Sequence, residues 1–230
     1  MHTQVCTLGP APALLVSQDR PETAAAKGTV LLFHGFSVDC SVNQRELESL
    51  AARGFLAVGI DNAGHGRRRD PDWEAKFGPG GDWMRHFLQL VRQTAAEVPD
   101  ILDALAGRDL LPKEKAGVTG ISMGGLISYA AMLHDSRVVS ATPMIATPKD
   151  VADQANRFFP AAILSQTAGL DEVVDYRDAA DFHAALAPHY ADQPEREKLI
   201  NYPDSPHTMR ENDWHDAWAK VLAWHERFLP

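Results

Sequence analysis

The sequence has only two cysteines, Cys6 and Cys40, among its 230 residues. Two thiols cannot build a disulfide framework, so a disulfide-rich secreted scaffold is excluded. We expect both thiols to stay reduced, as in a cytoplasmic protein. The cysteines and the ten histidines show no spacing typical of metal ligands. The sequence therefore predicts no metal site.

Long apolar runs and a surplus of basic charge are also missing. No run approaches the ~20 residues that a membrane-spanning helix needs. The first residues lack the basic start and the apolar stretch of a signal peptide. The chain carries 22 basic and 31 acidic residues, a formal net charge of −9. Nucleic acids and anionic membranes are themselves negative, so we expect neither as a partner.

The composition is that of an ordinary globular protein, with 45% hydrophobic and 23% charged residues. The length fits one domain over residues 1–230, and no linker or internal repeat divides the sequence. Short apolar runs of β-forming residues recur without period-2 alternation, which is typical of strands buried on both faces. These runs are residues 29–33, 55–60, 116–121, 138–142, 161–164 and 198–202.

Stretches with helical periodicity separate the predicted strands. Residues 42–53 and 82–105 each place their apolar residues on one face. Pro99 removes a backbone hydrogen bond inside the second stretch and predicts a kink there. The last helix is expected to begin with Asn212 or Asp213 as its N-cap.

Alternating strands and helices predict an α/β fold, a three-layer sandwich around a mostly parallel sheet. Residues 4–8 and 13–17 differ, because a Gly-Pro pair between them favours an antiparallel hairpin at the edge of this sheet. Ligands of such folds bind beyond the carboxyl ends of the strands. The polar, glycine-rich residues 67–81 are expected to form a loop at that edge.

Residues 120–124, Gly-Ile-Ser-Met-Gly, form a GxSxG motif. The motif alone is weak evidence, but here it follows a predicted strand and opens a predicted helix. That strand–turn–helix setting holds the serine in a strained conformation with its hydroxyl exposed. The flanking glycines are needed because side chains would collide with the neighbouring strand and helix. The pattern predicts Ser122 as a nucleophile.

A serine hydroxyl needs a base to take its proton and an acid to orient that base. His207 fits the base, because it follows the last predicted strand and precedes the last helix. Asp171 fits the acid, because it follows the preceding strand at a glycine-assisted turn. The developing oxyanion needs two backbone N–H donors. We expect these from Met123, directly after the nucleophile, and from Phe36, in the loop after residues 29–33.

With these residues the chain resembles the α/β-hydrolase superfamily over nearly its whole length. The matching segments are residues 34–36, residues 61–66 (DNAGHG), the Ser122 turn, residues 171–174 and His207. The resemblance implies a sheet of about eight strands and an acyl-serine mechanism. The chain is similar to small esterases of the dienelactone-hydrolase and prolyl-oligopeptidase-like branch. It departs from them in having serine where dienelactone hydrolases have cysteine, and in having no propeller domain.

We therefore expect a carboxylic-ester hydrolase with a minimal cap, acting on a small-molecule ester without a cofactor. A thioesterase, an acyltransferase and a slow-turnover ligand receptor of the same fold are alternatives. Trp73, Phe158 and Phe159 are candidates for the wall of the substrate pocket, unless they pack loops onto the sheet. Residues 67–69, three consecutive arginines, either attract a carboxylate-bearing substrate or form a solvated face. The sequence leaves the oligomeric state open.

Overall fold

The computed structural model describes residues 1–229, which form one sheet with helices on both faces. Its eight strands are β1 (His2–Leu8), β2 (Ala11–Ser17), β3 (Thr29–Phe33), β4 (Leu56–Ile60), β5 (Ala116–Ile121), β6 (Val138–Met144), β7 (Ala162–Ala168) and β8 (Glu197–Tyr202). The α-helices are α1 (Pro21–Lys27), α2 (Gln44–Ala52), α3 (Trp73–Phe77), α4 (Trp83–Ala96), α5 (Val98–Ala106), α6 (Met123–His134), α7 (Tyr176–Leu186) and α8 (Glu211–Phe228). Short 3₁₀ helices are Cys40–Asn43, Gly66–Arg68, Lys149–Arg157, Ala187–Tyr190 and Pro194–Arg196.

The strand order is β1-β2-β4-β3-β5-β6-β7-β8. The hairpin of β1 and β2 forms one edge, and β2 also runs antiparallel to β4. All other neighbours are parallel. The predicted α/β fold with a mostly parallel sheet and an antiparallel edge hairpin is confirmed.

Complete burial explains why the strands lack alternation in the sequence. Every residue of β3, β4 and β7 is buried, because helices cover both faces of the sheet. β7 runs four residues beyond the predicted 161–164, through the polar Ser165, Gln166 and Thr167. These side chains are tolerated inside the protein because each is hydrogen-bonded.

Two predictions about helix ends had different outcomes. The kink predicted near Pro99 is a complete break between two helices, since α4 ends before Glu97 and α5 carries Pro99 in its first turn. The N-cap predicted for the last helix is wrong. α8 is preceded by Arg210 in an extended conformation, without a side-chain cap. Asp213 instead accepts a hydrogen bond from the Ser205 hydroxyl at 2.6 Å, which ties the helix to the loop before it.

Two apolar cores lie on opposite faces of the sheet. One includes Val91 of α4 and Ile127 of α6, and the other includes Leu50 of α2 and Val221 of α8. The loops that follow the carboxyl ends of the parallel strands lie at the edge of the sheet, between the helices of its two faces. No helix within residues 1–229 is both long enough and apolar enough to cross a bilayer.

Candidate active site

Ser122 lies between β5 and α6 with a φ of 55° and a ψ of −113°. This conformation is strained for any residue other than glycine. Backbone hydrogen bonds hold it: the Ser122 N–H donates to the Met144 carbonyl at 3.0 Å, and the Ser122 carbonyl accepts from the Gly125 N–H at 2.8 Å. The strained turn places Ser122 on the wall of a cavity of about 860 Å³.

The glycines of the motif are required by close backbone contacts. A Cβ atom on Gly120 would overlap the backbone of Gly124, and one on Gly124 would overlap the backbone of Phe33. α6 can therefore begin directly against β3 and β5 only when both positions lack a side chain.

The structure brings Ser122, His207 and Asp171 together, as the sequence predicts. The His207 Nε2 lies 3.0 Å from the Ser122 Oγ, and the His207 Nδ1 lies 2.8 Å from an Asp171 carboxylate oxygen. An ionised carboxylate only accepts hydrogen bonds, so we assign the imidazole proton to Nδ1. Nε2 is then free to accept the serine proton. The His207 side chain is 22% exposed and that of Asp171 2% exposed.

Backbone groups fix the Asp171 carboxylate. One oxygen accepts from the N–H groups of Val173 and Val174, both at 2.8 Å, while the other faces His207. Asp171 is thus held in the orientation that the imidazole needs.

The loops that carry Asp171 and His207 are joined to each other. The Gly169 N–H donates to the Tyr202 carbonyl at 2.8 Å, and the Leu170 N–H donates to the Ser205 carbonyl at 2.9 Å. A Cβ atom on Gly169 would lie 2.7 Å from the Pro203 Cα, too close for an unshifted backbone. The pairing of β7 with β8 therefore continues into the site.

Ser205 contributes to the site in a way that the sequence analysis missed. It is fully buried, and its hydroxyl donates to Asp213 and accepts from the Arg210 N–H at 3.1 Å. These bonds tie the segment that carries His207 to the first turn of α8. A serine in a proline-rich turn before a helix is a common local pattern, and only the fold shows what it holds.

The residues predicted to supply the oxyanion donors lie beside Ser122. Met123 is the first residue of α6, and N–H groups in a first helical turn have no acceptor within the helix. Phe36 follows β3 in the chain and lines the same cavity as Ser122. Their role as oxyanion donors stays a prediction.

A cluster of aromatic rings surrounds Phe36. Its ring lies 5.0–5.6 Å, between centroids, from those of His65, Trp73, Phe77, Trp83 and Phe87. Behind the same loop, the buried His34 Nε2 accepts the Asn62 N–H at 3.0 Å. Burial lowers the pKa of His34 to about 4, which keeps the ring a neutral acceptor. The aromatic contacts of Phe36 and the hydrogen bond of His34 thus hold this loop from two sides.

Trp73, Phe158 and Phe159 lie outside the lining of the cavity that contains Ser122. Trp73 stacks behind Phe36, with centroids 5.0 Å apart. Phe158 packs against Phe182 of α7, and Phe159 against Tyr190. All three attach surface segments to the core, the alternative left open by the sequence. The large aromatic residues that do line the cavity are Phe36, Trp83, Phe87 and Trp214.

The three arginines of residues 67–69 also lie outside the lining of this cavity. Arg68 donates to the Asp61 carbonyl at 2.9 Å and pairs with Glu97 at 2.7 Å. The Arg69 guanidinium lies 4.2 Å from the centroid of a Trp73 ring. These contacts of Arg68 and Arg69 hold the loop.

A second chain of serine, histidine and acid is buried between α6, α7 and the sheet. The Tyr129 hydroxyl donates to the Ser165 Oγ, which lies 2.7 Å from the His183 Nε2, and the His183 Nδ1 contacts Glu197. Ser165 is fully buried, and Tyr129 and His183 are 1% and 6% exposed. No local pattern in the sequence indicates this network, because it depends on how α7 packs.

The strand order, the strained serine turn and the chain order Ser122, Asp171, His207 define a member of the α/β-hydrolase superfamily. A family model described as "Serine aminopeptidase, S33" matches residues 24–167, more than half of the sequence. The chain belongs to this hydrolase family.

Several proteins are similar to this chain at low sequence identity. The "Putative esterase YitV" of Bacillus subtilis is 20% identical over 236 residues, which cover 87% of this chain and 89% of that protein. TT1662 from Thermus thermophilus is 17% identical with a TM-score of 0.77, covering 97% of both chains. A cold-adapted esterase from an Arctic intertidal metagenomic library is 18% identical with a TM-score of 0.71, covering 99% of this chain and 93% of its own.

Proposed function

We propose that this protein is a serine esterase that cleaves carboxylic esters of small molecules. The observation that carries the proposal is the 3.0 Å contact between Ser122 Oγ and His207 Nε2 at the wall of an open cavity. The esterases among its relatives support the choice of an ester bond. We also propose that the chain works as a single domain, since one sheet carries all three residues.

In the first half-reaction, the His207 Nε2 accepts the Ser122 proton while the Oγ attacks the ester carbonyl carbon. The negative charge moves to the carbonyl oxygen, where the N–H groups of Phe36 and Met123 stabilise it. As the bond to the alcohol oxygen breaks, His207 returns its proton to that oxygen. The alcohol leaves, and the acyl group remains on Ser122.

In the second half-reaction, water takes the place of the alcohol. His207 accepts a proton from the water as its oxygen attacks the acyl carbon, and then gives the proton to the departing Ser122 Oγ. The carboxylic acid is released and the serine is restored. Asp171 stays ionised throughout and keeps the imidazole proton on Nδ1. A thioester, or another acyl acceptor in place of water, would follow the same steps.

The proposal is tested by labelling with a fluorophosphonate and by hydrolysis of p-nitrophenyl esters. We expect the probe to label Ser122 alone, and Ser122→Ala to lower kcat by at least about 10⁴-fold, because the nucleophile is gone. Ser136→Ala, which removes a serine distant from this cavity, serves as the matched control and should retain full activity. Native rates in Ser122→Ala would refute the proposal. Labelling without turnover would favour the receptor alternative.

A further inference from the structure

The cavity at Ser122 crosses the carboxyl edge of the sheet instead of lying on one face. One wall comes from Phe87 of α4 and Leu126 of α6, which pack with the core on one face. Another wall comes from Val42 and from Trp214 of α8, which packs against the core on the opposite face. Ser122, at the end of a central strand, has apolar surface on both sides.

Apolar side chains also surround the mouth of the cavity. Among the residues that the structure describes, nine large apolar side chains are exposed, and five of them line this cavity. They are Val38, Val42, Trp83, Met84 and Val173. Exposed apolar residues are ordinary when scattered, but a group around one opening is typical of a binding surface.

Two carboxylates on the cavity wall are each held by a cation. Asp150 receives both forks of the Arg92 guanidinium, at 2.7 and 2.8 Å. Asp178 pairs with Lys149 at 3.0 Å and accepts a hydrogen bond from Thr147 at 2.8 Å. A bidentate guanidinium uses both carboxylate oxygens, so Asp150 has little capacity left for a second cation.

The third carboxylate on the wall is paired as well. Asp175 contacts the guanidinium of Arg177 at 2.6 Å, and the hydrogen bonds from Arg177 lower the Asp175 pKa to about 2. The same carboxylate accepts the Arg177 backbone N–H at 3.0 Å, at the start of α7. Every aspartate and lysine that lines the cavity in residues 1–229 is therefore engaged in an ion pair.

We infer that the preferred substrate is an uncharged ester with apolar groups on both its acyl and its alcohol side. This inference rests on the proposed ester hydrolysis. A charged group entering the cleft would lose water without gaining an unpaired group of opposite charge, and we expect kcat/KM to fall by about tenfold or more. The same reasoning argues against substrates with a free ammonium group near the scissile bond.

Two pairs of esters of equal size test each side of the scissile bond. On the acyl side, p-nitrophenyl heptanoate is compared with p-nitrophenyl 6-aminohexanoate, which replaces the terminal methyl group by ammonium. On the alcohol side, 3,3-dimethylbutyl hexanoate is compared with hexanoylcholine, which replaces a quaternary carbon by a quaternary nitrogen. In both pairs we expect the neutral ester to have the higher kcat/KM, by about tenfold or more.

The outcomes separate this inference from the proposed function. A cationic ester that is cleaved as well as its neutral partner, in either pair, would overturn the inference and leave the esterase proposal standing. Failure to cleave any of the four esters would refute the esterase proposal itself.

A variant tests whether the paired carboxylates cause the preference. Arg92→Met keeps much of the side-chain length but leaves Asp150 without its cation, so the relative kcat/KM for the 6-aminohexanoate ester should rise about threefold or more. Arg53→Met breaks the Arg53–Glu226 pair outside this cavity and is the matched control. Thermal midpoints of both variants report folding. An unchanged preference in folded Arg92→Met would overturn the role assigned to the ion pairs.

Discussion

At the scale of single residues, two serines of this chain contact a histidine that is itself held by an acid. Ser122 lies on the wall of a cavity, whereas Ser165 is fully buried and also accepts a hydrogen bond from the Tyr129 hydroxyl. A nucleophile must come within bonding distance of its substrate, so a serine–histidine contact alone does not identify a nucleophile. Only Ser122 is placed where a substrate in the cavity could reach it.

This contrast predicts different effects for the two serine-to-alanine substitutions. Ser165→Ala should retain ester hydrolysis and labelling by a fluorophosphonate, because its network does not line the cavity. It should lower the free energy of unfolding by about 1–3 kcal/mol, since Tyr129 and His183 lose a buried partner. Urea denaturation and active-site titration measure the two effects. Loss of labelling in folded Ser165→Ala would contradict this assignment.

At the scale of elements, the site is built from the ends of four parallel strands. β3 leads to Phe36, β5 to Ser122, β7 to Asp171 and β8 to His207. Since parallel strands end at the same edge of a sheet, side chains distant in the sequence meet there. The two loops after β7 and β8 continue to pair through Leu170 and hold Asp171 and His207 close together.

Gly169 is the point where these two loops come closest. Gly169→Ala would place a methyl group against the backbone of Pro203, so one loop must shift. We expect kcat to fall by about 10²-fold through misalignment of Asp171 and His207, with a smaller change in KM. Steady-state kinetics measure both.

Gly107 offers a matched control for this substitution. A Cβ atom there would lie 3.4 Å from the Asp103 carbonyl oxygen, in ordinary contact, at the end of α5. Gly107→Ala should leave kcat unchanged. If Gly169→Ala retained native kcat as well, the alignment of the two loops would not depend on their close contact.

At this scale the sequence predicts the features that depend on neighbouring residues. Strands and the turn at Ser122 have short-range signals, and the positions of Asp171 and His207 follow from counting strands. The cavity walls depend on which way a helix faces, and nothing near Trp73 in the sequence indicates that α3 turns this ring behind Phe36. The network of Ser165 was missed for the same reason.

At the scale of the whole molecule, two apolar cores contain buried polar groups whose protonation is restricted. His225 of α8 is fully buried and contacts the hydroxyls of Ser140 and Thr142 at 3.0 and 3.1 Å. Burial lowers its pKa to about 3, and that of His34 to about 4. Both rings are thus neutral in the folded protein near neutral pH.

Because the pKa values of His34 and His225 are lowered in the folded protein, we expect the free energy of unfolding to decrease as the pH falls. Below the unfolded pKa of about 6.5 the unfolded chain binds protons that the folded chain does not, so the free energy of unfolding decreases. The loss continues until the pH reaches the folded pKa values, with up to about 1.4 kcal/mol per pH unit from each histidine. Urea denaturation between pH 7 and pH 5 measures the slope.

Substitution of His225 tests the larger of the two pKa shifts separately. His225→Gln keeps hydrogen-bonding capacity without a titrating ring, so the slope should be shallower by about 1.4 kcal/mol per pH unit below pH 6. His2→Gln, at an exposed position of β1, is the control and should keep the native slope. An equal slope in His225→Gln and the native protein would contradict a neutral, buried His225.

The place of β8 in the chain has a consequence for biosynthesis. β8 leaves the ribosome after the other seven strands of this sheet, and it pairs with β7 at the edge opposite the β1–β2 hairpin. A nascent chain can already contain Ser122 and Asp171 before His207, the proposed base, has been translated. If Ser122, Asp171 and His207 act as proposed, activity requires that the segment after β8 has emerged from the ribosome and docked beside Gly169.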